Sequence, residues 1–170
     1  MAKKTIKIKK YSDVIEELTA TAVAITPGML LEATAVAEQC QAHSTAEGNV
    51  LPMFALEDEL QGRGIETNYA ASAKIQVWIP GRGDIVLGII EDGTNIAIGD
   101  FLESNGAGLL QKYVADTASW AEPSAAGSIT VFPNAIVGQA VEAVAAGAAS
   151  SENSSETPLG LGRRIQVRII

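Results

Sequence analysis

Turn-forming residues recur about every 8–12 positions along this chain and separate short runs of β-branched and aliphatic side chains. Lys74-Ile75-Gln76-Val77-Trp78-Ile79 alternates at period 2, Pro80-Gly81-Arg82-Gly83 turns it, and Asp84 to Ile90 returns. A second turn, Glu91-Asp92-Gly93-Thr94-Asn95, leads into Ile96-Ala97-Ile98. Phe101-Leu102-Glu103-Ser104 and Leu109-Leu110-Gln111-Lys112 then flank Asn105-Gly106-Ala107-Gly108, a short-range hairpin signal. Many short strands at this spacing predict an all-β fold, a small single-domain β-barrel or β-sandwich.

The rest of the chain is read in the same way. Residues 12–25 carry a conflict: Ser12 with Glu16 and Glu17 can open a helix, whereas Thr19, Thr21, Val23 and Ile25 favour a strand, expected over 18–25. Thr26-Pro27-Gly28 makes a turn before the β-compatible run Met29-Leu30-Leu31-Glu32. Residues 33–49 are expected as a strand pair closed by Glu47-Gly48-Asn49, and 57–65 as an irregular connection broken by Gly62 and Gly64. Ile136 to Val144 has the composition of a helix but alternates, and is expected as a strand. Ala145 to Gly162, rich in Gly, Ala and Ser, is expected as a flexible loop before a last strand, Arg164 to Ile169.

The 170 residues fit one domain. With 47% apolar residues the chain can build a core, but aromatics are only 5%, so that core must consist largely of small and aliphatic side chains. No run of 18 apolar residues exists and the first ten residues lack the apolar stretch of a signal peptide, so no membrane partner is expected. One cysteine, Cys40, cannot form an internal disulfide.

Charge is divided unevenly. Five of the 12 basic residues are Lys3, Lys4, Lys7, Lys9 and Lys10; residues 11–170 carry seven positive charges against 20 negative, a net of −13. The expected organisation is a basic extended arm at 1–11 and an acidic β body at 12–170. The body is repelled by phosphate, which makes nucleic acid an unlikely partner, although the lysine arm keeps a nucleic-acid-binding module as an alternative. The arm alternates Ile6 and Ile8 with Lys7 and Lys9, a pattern suited to adding a strand to a sheet edge, its own or a partner's.

Residues that could carry chemistry are few. Cys40 and His43 are a thiol and a base three positions apart, with no third group or oxyanion donor placed by the sequence. Two such ligands fall short of a zinc site, and Glu57-Asp58-Glu59 and Glu91-Asp92 lack the spacing of a calcium loop. No phosphate-binding glycine loop and no Gly-x-Ser-x-Gly elbow occurs. Arg82-Gly83-Asp84 is read as turn chemistry, and Asn153-Ser154-Ser155 matches a glycosylation acceptor. The expectation is a protein without catalytic residues, metal or cofactor.

Five runs carry a family likeness: Pro27-Gly28-Met29-Leu30-Leu31-Glu32, Phe54 to Ile65, Ile98 to Gly106, Val137 to Ala143, and Ile165 to Ile169. Together they resemble tailed-bacteriophage capsid decoration proteins, also called cement or head-stabilising proteins. The resemblance implies a small β-barrel, commonly a homotrimer, on the outer surface of the virion head, where it binds the major capsid protein and stabilises the expanded shell. A tail or fibre component is the nearest alternative. Under this reading the capsid-contact candidates are Lys3, Lys4, Thr5, Ile6, Lys7, Ile8, Lys9, Lys10 and Tyr11. Thr5 to Tyr11 would add a strand to the capsid, Ile6 and Ile8 filling apolar depressions and the lysines meeting acidic groups.

Overall fold

The structure, a computed structural model, describes residues 6–9, 14–21, 23–122, 125–131, 135–145 and 163–170. Its strands are β1 (Lys7–Lys9), β2 (Val14–Ala20), β3 (Leu31–Ala33), β4 (Gln39–Ala42), β5 (Phe54–Ala55), β6 (Lys74–Ile79), β7 (Ile85–Ile89), β8 (Phe101–Ser104), β9 (Leu110–Lys112), β10 (Asp116–Glu122), β11 (Ala125–Val131), β12 (Gly138–Ala140) and β13 (Arg164–Ile169). One 3-10 turn, Glu59–Gln61, ends at Gly62 with φ 71°. The chain is all-β, as its turn spacing predicts.

A six-stranded sheet runs β1-β7-β13-β12-β8-β9 and a five-stranded sheet runs β3-β4-β2-β6-β5, with β10-β11 as a separate hairpin. The larger sheet nearly closes into a barrel: Leu110 of β9 bridges to Ile90, just past β7, and Glu91 N–H donates to the Leu110 carbonyl at 2.8 Å. Closure protects strand edges that would otherwise offer unpaired backbone groups.

Two adjoining apolar clusters fill the body. The first holds Leu30, Phe54, Trp78, Val86, Leu102, Leu110, Val137 and Val167, and the second holds Ile25, Leu31, Cys40, Ile75, Val77 and Ile89. Phe54 and Trp78 belong to the five-stranded sheet yet share a cluster with the barrel strands, so the sheets have a common interior.

The sheets are also joined through hydrogen bonds. Leu30 N–H donates to Gly108 O at 2.8 Å, Gly108 N–H to His43 O at 3.0 Å, and His43 N–H to Leu30 O at 3.0 Å. Gly108 sits at φ 75°, and a Cβ there would lie 2.9 Å from the Ala42 Cβ, so both conformation and close approach require glycine. The Asn105–Gly108 segment therefore closes the β8-β9 hairpin and seats it against the second sheet. A further join is made by Arg164 of β13. Its buried guanidinium donates to Ile65 O at 2.6 Å and to Pro27 O at 3.2 Å, and lies 3.4 Å from Glu66 Oε1.

Several expectations are corrected. β2 begins at Val14, not 18, because residues 14–19 pair with β6 from Ile79 back to Lys74; cross-strand partners outweigh the helix-start signal at Ser12. Residues 33–49 do not hold a strand pair: β4 alone lies there, and it pairs with β3, which ends at Ala33, across a turn at 34–38 rather than one at Glu47-Gly48-Asn49. Thr34 Oγ1 accepts the Val36 N–H at 3.1 Å, and Glu38 adopts φ 59°, which tightens that turn. Pro80 to Gly83 does turn the chain, but β6 and β7 do not pair: the turn passes the chain from one sheet to the other. Ile96 contributes one isolated bridge, to Val144, in place of a strand at 96–98, and the strand expected over 136–144 is confined to Gly138–Ala140. The loop expected at 145–162 lies outside the described residues from 146 onward.

Candidate functional site

The arm docks on its own body over the residues described. β1 pairs antiparallel with β7, Lys7 opposite Val86 and Lys9 opposite Ile85. Ile6 N–H donates to Glu57 Oε2 at 3.1 Å, and Leu87 N–H donates to Ile6 O at 2.8 Å. Ile6 is 0% exposed and belongs to the first apolar cluster. In this arrangement its side chain fills the chain's own core rather than a depression on another subunit, and Lys7, Ile8 and Lys9 use their backbone on the chain's own sheet. Lys3, Lys4, Thr5, Lys10 and Tyr11 lie outside the described residues.

A second strand edge is open. Along β2, Ala20 N–H donates to Ala73 O on the β6 side, whereas Thr19 and Thr21 N–H donate to Glu38 O and Cys40 O on the β4 side. Strand periodicity therefore directs the backbone groups of Glu17 and Ile15 to the β4 side as well. β4 meets β2 only at Thr19 and Ala20, because the chain turns away through 34–38. Ile15 and Glu17 thus present an edge without a partner strand among the described residues. On the other side of β2, a groove of about 300 Å³ lined by Ile15, Glu16, Glu17, Glu59, Leu60 and Gln76 crosses from β2 over β6 to the 3-10 turn that follows β5. Leu60 is 84% exposed and Ile15 43%, so apolar and acidic residues together line one solvent-facing depression.

Cys40 and His43 do not act on one another. The His43 Nδ1 lies 2.7 Å from Ser104 Oγ and its Nε2 lies 3.7 Å from Glu32 Oε2. Burial would raise the Glu32 carboxyl, but hydrogen bonds from Ser44 and Gln41, with the His43 ring nearby, hold it below the ordinary range. The serine, histidine and carboxylate stand in the order of a hydrolase relay. Ser104, however, is 0% exposed and its Oγ accepts the Gly106 N–H at 3.1 Å, so no substrate carbonyl reaches it in this arrangement. The row ties β3 and β4 to β8. The Cys40 thiol is pushed up by burial, opposite to the shift that activates a nucleophile.

Other motifs resolve into structure. Asp84 is fully buried and its Oδ2 accepts the Gly81 N–H at 2.8 Å, so Arg82-Gly83-Asp84 is not displayed as a ligand. Asp92 Oδ1 accepts the Gly93 N–H within its turn. Among the described residues no group of three His, Cys, Asp or Glu is placed to hold a metal ion, and no helix is long and apolar enough to cross a membrane. Asn153 lies outside the described residues. The open β2 edge escaped the sequence reading because the strand was started four residues late; the β-branched pair Val14-Ile15 was the signal for it. No protein-family model matches the chain, and no curated protein matches it either.

Proposed function

We propose that this protein is a structural component of a bacteriophage particle: a decoration, or cement, protein that binds the outer surface of the head as a homotrimer, contacts the major capsid protein and stabilises the expanded shell. The observation that carries the reading is where the five family-like runs lie. Pro27–Glu32 holds the Arg164 acceptor and the inter-sheet bonds at Leu30; Phe54–Ile65 spans β5 and the 3-10 turn; the other three contain β8, β12 and β13. The first two of these segments tie the sheets together through Leu30 and the Arg164 acceptors Pro27 and Ile65, and the other three lie in the six-stranded sheet; a fastener under load needs cross-linked β structure more than it needs a pocket. The net charge of −13 over residues 11–170 disfavours nucleic acid as the partner.

Attachment in this reading comes from several weak contacts acting together. Ordering an extended segment costs roughly 1–2 kcal/mol per residue, so one arm holds poorly, whereas three on a trimer make the later contacts intramolecular. Because Ile6 belongs to the body's core, residues 1–5 are the part of the arm that can be removed without opening that core. The test is co-sedimentation with expanded heads that lack decoration. The full chain is expected to sediment with heads at a saturating ratio and a chain lacking residues 1–5 to bind at least about tenfold more weakly. A full chain that stays in the supernatant at every concentration overturns the proposal.

A further inference from the structure

We infer that the groove is the seat of the chain's own residues 1–5, with Lys3 and Lys4 set against Glu17 and Glu59, and that this seat holds the segment on the body until the shell takes it. The release step rests on the proposed function; the seat does not. Three observations carry the seat.

The groove and the docked part of the arm share a face. In β6, Gln76 and Trp78 lie two positions apart and so belong to one face of the five-stranded sheet. Glu17 is the register partner of Gln76, and Ile15 and Phe54 are those of Trp78, which puts all three on that face. Ile6 is buried in the cluster that holds Phe54, Leu56 and Trp78, so residue 6 lies over the face along which the groove runs. Glu16 belongs by alternation to the opposite face.

The tether is long enough. Ile6 O accepts the Leu87 N–H, whereas Ile6 N–H donates to Glu57 Oε2 at 3.1 Å, so residues 1–5 start from Glu57. Glu59 is two residues beyond Glu57, ~7 Å at most. Leu56 N–H donates to Gln76 O at 2.9 Å, and Glu17 lies one strand further, about two strand spacings or ~10 Å from β5. Five extended residues span at most ~17 Å, which covers both distances. A segment tethered this closely is present at an effective concentration on the order of millimolar, above that of any other copy in dilute solution.

The chemistry matches. Lys3 and Lys4 are the only charged side chains in residues 1–5, and no lysine or arginine lines the groove. Among the described residues neither Glu17 nor Glu59 forms an ion pair. Leu60 and Ile15, both exposed, offer apolar surface to Met1 and Ala2. Exposed ion pairs are individually weak, so this seat opens readily.

The experiment uses the full chain, first without heads. A chain carrying Lys4→Cys and Glu17→Cys is oxidised at high dilution and mapped by mass spectrometry; Cys40 is buried. The 4–17 link is expected within one chain, at least about fivefold faster than the 4–16 link of a chain carrying Lys4→Cys and Glu16→Cys, because alternation turns residue 16 to the other face. Equal rates, or a 4–17 link found only between chains, overturn the inference. A lysine-specific protease reads the charge contact: Glu17→Gln with Glu59→Gln is expected to speed cleavage after Lys3 and Lys4 by at least about threefold, and an unchanged rate overturns it. With heads, the same double variant is expected to bind about two- to fivefold more tightly, since a larger fraction of chains has residues 1–5 available. Unchanged binding overturns the release step. Head binding without a 4–17 link removes the inference and leaves the proposed function standing; a 4–17 link in a chain that binds no heads does the reverse.

Discussion

Replacing Ile6 with alanine separates a docked arm from a loose one. Ile6 is fully buried in the first cluster, against Phe54, Val86, Leu87 and other aliphatic side chains, and its backbone makes bonds to Glu57 and Leu87. Truncating a buried isoleucine to alanine costs about 2–5 kcal/mol through lost transfer energy and the cavity left behind. A value near ~3 kcal/mol suits a site just before a three-residue strand, where the neighbours can partly relax. For a chain of this length each kcal/mol lowers Tm by about 2–4 °C, so the expected drop is roughly 6–12 °C. Urea unfolding of the free protein at fixed concentration, followed by a thermal scan, measures it. Leu60→Ala, at a residue 84% exposed, is the control and should stay within about 0.5 kcal/mol of the parent chain. An Ile6→Ala chain that unfolds at the parent's urea midpoint would refute the docking of β1 on β7.

Three other outcomes follow from the same structure. Arg164→Ala strands the carbonyls of Pro27 and Ile65 in the interior and should cost about 3–5 kcal/mol by urea titration, with Arg164→Lys recovering only part, since an ammonium lacks the planar fork that serves both carbonyls. Glu32 and Asp100 both have carboxyls held low, Asp100 by the Ala97 N–H and then by Lys112, so their contribution is present above the ordinary carboxylate range and is lost as pH falls through the lowered values; Tyr69, pushed up to about 12 by burial, contributes below pH 10 and loses that contribution as pH rises toward 12. Stability measured against pH should therefore fall on both the acid and the far-alkaline side, and a profile flat from pH 3 to 7 would contradict the carboxylate assignment. Cys40 should react with a thiol reagent at the rate of global unfolding at neutral pH, and prompt labelling of the native chain would show that the second cluster opens on its own.

Local pattern predicted strands well where turn chemistry and alternation agreed. Lys74–Ile79, Ile85–Ile89 and the Phe101–Lys112 hairpin stand where the sequence placed them, because Gly and Asn at the turns and β-branched side chains in the runs point to the same answer. What alternation cannot state is the partner. The runs on either side of Pro80–Gly83 look like a hairpin, yet each finds its neighbours elsewhere in the chain, β6 between β2 and β5, and β7 between β1 and β13. The β10-β11 hairpin, Asp116–Glu122 with Ala125–Val131, passed without any assignment: its residues are mainly Ala, Ser, Thr and Gly, which give weak alternation, and only Pro123 marked a turn. The arm was legible as an edge-adding strand, but its destination was not, since burial of Ile6 depends on Glu57 and Leu87, 51 and 81 positions away. The His43 row was hidden for the same reason: Ser104 lies 61 positions from His43, and no spacing rule connects them.

Heating the shell is the direct test of the proposed role. Expanded heads lacking decoration, warmed with increasing amounts of this protein and followed by light scattering, should break at rising temperature until a fixed ratio to the major capsid protein is reached, because a ligand that binds only the intact shell stabilises it by mass action. A disruption temperature that does not move at any amount of added protein would contradict a cementing role.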